Sequence, residues 1–104
     1  LNPLVEETFN QNMNNLKIAG ETYFENNENG KITIKQLQEK NLLAELKDSK
    51  GSSCDENSYV EKTDSKMIIH LNCEEKSEEK TINLKKEKLL CIYQYEKKTR
   101  TIIH

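Results

Sequence analysis

Three cysteines, two histidines and a near-balanced set of carboxylates and lysines are the chemistry-bearing residues of this 104-residue chain. A catalytic thiol needs a neighbouring base and an electropositive, accessible setting. His70 and His104 are the only imidazoles, too few to build a constellation of base, nucleophile and oxyanion donor. Cys54, Cys73 and Cys91 also lack the close paired spacing of a structural zinc site. Glu74, Glu75, Glu78 and Glu79 are interleaved with lysines. Paired catalytic acids need burial to separate their pKa values, so this run reads as a solvated turn. Neither a glycine-rich phosphate loop nor a nucleophile elbow is present. The residues point to a non-enzyme that uses no cofactor.

An odd cysteine count allows one bridge with one thiol left over, or three reduced thiols in a reducing compartment. Cys54 falls in a loop just before a predicted strand, and Cys73 ends the strand expected to pair with it. A hairpin turning at Asp64-Ser65 brings those two neighbourhoods together, which makes Cys54–Cys73 the expected disulfide. Closing a loop of about twenty residues contributes roughly 3 kcal/mol in the chain-entropy account. Cys91 shares a predicted strand face with Leu89 and Tyr93 and reads as a free, buried thiol.

One stretch is similar to a calcium-binding loop. Glu25, Asn27 and Asn29 precede Gly30, and Gln36 follows six residues after the glycine, the spacing of an EF-hand. The ligands depart from that pattern. Glu25 stands where aspartate is usual, two positions are neutral asparagines, and Gln36 cannot offer a bidentate carboxylate. The same residues also read as a glycine turn leading into a capped helix, which is the preferred reading, with Glu25, Asn27, Asn29 and Gln36 left as weak metal candidates.

Hydrophobic residues make up 34% of the chain and charged residues 33%, with a formal net charge of −2. Near-balance of this kind lacks the concentrated basic face that holds nucleic acid. The C-terminal third is locally basic through Lys85, Lys86, Lys88, Lys97, Lys98 and Arg100, as expected of lysines protecting a sheet edge. No run approaches the roughly 20 apolar residues of a membrane span, so this segment is not expected to insert. The chain opens at Leu1 rather than methionine. The expectation is that an upstream segment, with any anchor or targeting signal, has been removed.

The elements follow from periodicity. Asn2 suits an N-cap and Pro3 the first helical position, and Val5, Phe9, Met13, Leu16, Ala19 and Tyr23 form one apolar stripe, predicting a helix over 3–25. Thr33 and Gln36 have capping-box spacing and Ile32 and Leu37 that of a hydrophobic staple. These predict a second helix over 33–46, with Ile34, Leu37, Leu42, Leu43 and Leu46 inward and a break near Asn41. From Ser58 the period becomes two, predicting strands at 58–63, 66–73, 80–84, 89–95 and 100–103, with Glu74 to Lys80 as a loop. Helices first and strands afterwards specify an α+β domain, its two helices packed on an antiparallel sheet of four or five strands. Tyr59, Tyr93 and Tyr95 could line a binding face of that sheet, although tyrosines in strands are commonly packing residues.

The segments "NLKIAGETYF", "GKITIKQLQEKNLLAELKDSKGSSCDENSYVE" and "IIHLNCEE" together resemble pilin-like ectodomains of surface proteins from AT-rich Gram-positive bacteria. The resemblance covers most of residues 13–84 and implies an anchor-proximal helix, a short helix and a cysteine-linked antiparallel sheet. It also implies a cell-surface or extracellular location and a structural or adhesive role, with a protein or cell-surface partner. The hydrophobic anchor and processing signal of a pilin are absent here, so no functional residues carry over. The rival expectation is a cytosolic protein-binding module, an immunity or regulatory protein with reduced cysteines; a second alternative is a degenerate EF-hand-like calcium-binding protein, using Glu25, Asn27, Asn29 and Gln36.

Overall fold

Asn2 sets the first element: its side chain accepts a hydrogen bond from the Leu4 N–H at 2.9 Å, satisfying one donor that the helix start leaves orphaned. The helix α1 then runs Pro3–Phe24, close to the predicted span. The computed structural model describes residues 2–84. The predicted strands at 89–95 and 100–103, with Cys91, Tyr93, Tyr95, His104 and the basic run, lie outside the described residues. Phe9, Met13, Leu16 and Ala19 of the expected stripe are buried, and Phe24 joins them.

A four-residue strand, β1 (Gly30–Thr33), follows the turn after α1. It was not expected, because with only Ile32 turned inward it is too short to show a period. The capping box predicted at Thr33 is present in both directions, and both staple residues, Ile32 and Leu37, are buried in the core.

The helix α2 that this cap opens covers Ile34–Glu39 alone, which corrects the predicted span of 33–46. Asn41 adopts a left-handed φ of 60°. The Leu42 N–H bonds the Leu37 carbonyl and the Asn41 N–H the Gln38 carbonyl, the two hydrogen bonds of a Schellman stop. Leu46 is buried and Leu42 and Leu43 half-buried, so these leucines serve the core from irregular backbone.

Three further strands complete the sheet: β2 (Tyr59–Lys62), β3 (Lys66–Asn72) and β4 (Ser77–Asn83). The order is β1-β2-β3-β4 with every neighbouring pair antiparallel. This is the α+β architecture expected, with four described strands. The Asp64-Ser65 turn is where predicted, closed by the Thr63 N–H to the Lys66 carbonyl. The charged stretch is a correction. The turn occupies only Glu74 and Glu75, and Ser77 to Lys80, predicted as loop, belong to β4. Ser77, Glu78, Glu79 and Lys80 pair with Asn72, Leu71, His70 and Ile69; backbone pairing overrides a sequence with no apolar alternation to announce it.

Ile32, Val60, Met67, Ile69 and Leu71 give the sheet one apolar face, and α1 lies over β2 and β3. The approach is closest at Gly20. A Cβ built there would stand 2.7–2.9 Å from Cγ1, Cγ2 and Cβ of Val60, a fully buried, branched side chain with no flexible end to withdraw. Glycine therefore sets the helix–sheet spacing. Lys76 fixes the other end of α1, its ammonium 2.9 Å from both Glu6 carboxylate oxygens and 5.0 Å above the Phe9 ring.

Cys54 and Cys73 form the expected disulfide, with Cα atoms 4.1 Å apart and both residues buried. It sits in a knot of polar contacts. The Asn12 amide donates to the Lys47 carbonyl at 2.8 Å, Asp48 Oδ1 accepts from the Lys50 and Ser52 N–H groups, and Glu75 accepts from the Ser49 N–H and hydroxyl.

Two outcomes are expected. Gly20→Ala gains about 1 kcal/mol of helix propensity, but overpacking against Val60 costs about 1–3 kcal/mol, so the variant melts lower. Adding Val60→Ala returns part of that loss, and a double-mutant cycle by urea denaturation reads the coupling. Replacing Cys54 and Cys73 together by serine lowers unfolding stability by about 3 kcal/mol, read by the same denaturation.

Candidate interaction face of the sheet

With α1 over one face, the residues that alternate with the core line the other. The register places Thr33 opposite Tyr59, Tyr59 opposite His70, and His70 opposite Glu79, so one row of side chains crosses all four strands. Lys31, two residues before Thr33, shares that face.

These side chains engage one another in sequence. The Lys31 ammonium lies 4.1 Å from the Tyr59 ring centroid, a cation over an aromatic face. The rings of Tyr59 and His70 stack at 5.2 Å with 20° between their planes. The His70 Nδ1 is 3.6 Å from a Glu79 oxygen, and the Tyr59 hydroxyl donates to that same oxygen at 3.4 Å. Burial, then the Glu79 and Glu61 carboxylates, push the Tyr59 hydroxyl above its ordinary value of 10.0. One broad face of Tyr59 is covered by Lys31 and the other by His70. The row therefore offers a partner ring edges, a hydroxyl and two opposite charges rather than a bare stacking platform.

Tyr59 is the residue of this row that the sequence had placed on a binding face. Lys31 and Glu79 were missed, because each lies in strand that showed no period. The place of His70 in the row depends on strand register rather than on spacing within β3. Period-two alternation alone puts Tyr59 and Glu61 on one side of β2; the Asp64-Ser65 turn is the signal that brings His70 opposite.

The residues of the calcium-loop pattern have other engagements. Glu25 caps the C-terminus of α1 through its backbone, and the Asn27 amide donates to the Tyr23 carbonyl at 2.8 Å. Asn29 is held between Lys62 and Asp64, and Gln36 Oε1 accepts from the Thr33 N–H. Among the described residues, no group of three or more His, Cys, Asp or Glu side chains is placed to hold a metal ion.

A second surface feature is a groove of about 310 Å³ between α1 and residues 42–46. Ile18, half exposed at 50%, lies on its rim. No helix among the described residues is long and apolar enough to cross a membrane. No family model, curated protein or solved structure matches the chain.

Alkaline titration tests the row. A group whose folded pKa is raised contributes stability that is present below its unfolded value and lost as pH rises through the folded one. Tyr59 and Lys76, the latter raised chiefly by its hydrogen bond to Glu6, are both of this kind. Melting temperature should therefore fall as pH rises past about 10, and less steeply in Tyr59→Phe. Equal slopes for the variant and the parent would contradict the raised Tyr59 value.

Proposed function

We propose that this chain is a non-enzymatic extracellular or cell-surface domain of a bacterial protein, a structural or adhesive module tethered through a segment beyond the chain itself. The observation that carries the reading is the Cys54–Cys73 bond, buried beneath α1 with its two residues 7% and 5% exposed. Disulfides of this kind form and persist in oxidising compartments, and small domains with modest cores use them in place of apolar mass. The resemblance to pilin-like ectodomains supports the same address. The net charge of −2 favours a protein or cell-surface partner over nucleic acid, and the row from Lys31 to Glu79 is the surface offered to it.

The same row supports a second reading, a cytosolic protein-binding module of the immunity or regulatory kind, which differs in compartment and in cysteine state. Intact mass of the protein taken from its native compartment, alkylated before and after reduction, separates the two. The extracellular reading expects one alkylated thiol before reduction and three after it. Three alkylated thiols without reduction would move the assignment to the cytosolic module.

A further inference from the structure

The turn between α1 and β1 contains the chain's only Asn-Gly pair, Asn29-Gly30. In an open chain this dipeptide is the most reactive amide sequence in a protein, because glycine has no Cβ to obstruct attack by its own backbone nitrogen. That nitrogen closes on the asparagine Cγ, the Cγ–Nδ2 bond breaks, and ammonia leaves. Water then opens the resulting succinimide to aspartate or isoaspartate. Both residues are exposed, and nothing lies within 4 Å of the place a Gly30 Cβ would occupy. Solvent access and space therefore do not protect the site.

The fold holds it by other means. The Lys62 ammonium donates to Asn29 Oδ1 at 2.9 Å, and Asn29 Nδ2 donates to Asp64 Oδ1 at 2.6 Å. Each end of the carboxamide is thus fixed to the β2–β3 hairpin. The attacking nitrogen is also engaged. The Ile34 N–H bonds the Ser58 carbonyl, and in the same register Gly30 faces Lys62. Gly30 and Lys62 therefore fall in the phase at which facing antiparallel residues exchange both backbone hydrogen bonds. Ring closure requires the amide to rotate and the Gly30 N–H to leave the ladder, so the hairpin tip must open first.

We propose that Asn29 is a conditional deamidation site, held unreactive by the Lys62–Asn29–Asp64 clasp and able to react only when the start of β1 separates from the end of β2. The change runs one way. The product replaces the donor Nδ2 with an oxygen facing the Asp64 carboxylate, and two like charges meet where a hydrogen bond had been. Isoaspartate also adds a backbone carbon immediately before β1, displacing the strand from its register. A tip that has opened and reacted does not close as before.

Peptide mapping of the purified full chain, incubated at mildly alkaline pH, tests this. Asn29 should convert at least about tenfold more slowly in the folded protein than in urea, the factor that about 1.4 kcal/mol of local opening supplies. Lys62→Met combined with Asp64→Ala should accelerate Asn29 in the folded protein and leave the rate in urea unchanged. Exposed Asn10 and Asn14 on α1 serve as internal references, and far-ultraviolet dichroism verifies that the variant is folded. Equal rates for Asn29 folded and unfolded would overturn the proposal. So would a folded variant whose Asn29 rate matches the parent's, because the clasp would then hold nothing shut.

Discussion

One contact layer governs this domain: a single long helix against the apolar face of a four-stranded sheet. At a third of its residues apolar, the chain has little hydrophobic surface to distribute. The α1 helix must therefore lie close enough to bury most of what there is. Gly20 sets that distance, since the helix backbone meets Val60 where a methyl group would not fit. The seam is then tied by polar means, Lys76 to Glu6 at the start of α1 and Asn12 to Lys47 in its middle. The disulfide completes the closure beside Asn12, whose amide lies 4.0 Å from the Cys54 sulfur.

Much of this arrangement was legible because its signals are local. The Asn2 cap, the Thr33–Gln36 box, the Asp64-Ser65 turn and the alternation from Met67 to Cys73 each involve neighbours whose side chains decide their own backbone. What escaped notice is non-local. The break expected near Asn41 proves to be the end of the helix, where that residue turns left-handed, and Leu42, Leu43 and Leu46 reach the core from irregular backbone beyond it rather than from a resumed helix. The strand at Ser77–Asn83 exists because β3 supplies a ladder, and its charged residues say nothing of that. Gly20 adds nothing to the apolar stripe, yet its missing side chain is the feature that lets the stripe dock.

The outer face shows the same limit. Of the row from Lys31 to Glu79, Tyr59 alone was readable as a surface candidate, because a row across four strands depends on register, which sequence spacing within one strand does not carry. Once the register is known, the order from Lys31 through two rings to Glu79 follows from cross-strand neighbourhood alone. The row is also self-engaged: its rings are covered by their own neighbours. Any partner meets polar edges, and so binds with geometry rather than with buried apolar area.

The position of the disulfide has a mechanical consequence. It joins Cys54, in the loop that leads into the β2–β3 hairpin, to Cys73, the residue directly after it, with a sequence separation of 19. A tension applied along the chain passes from Cys54 to Cys73 through the sulfur bridge and bypasses the hairpin altogether. About 65 Å of contour length is thereby withheld from extension, and Val60, Ile69 and Leu71 stay in register on a covalently closed loop while the strands outside it carry the load.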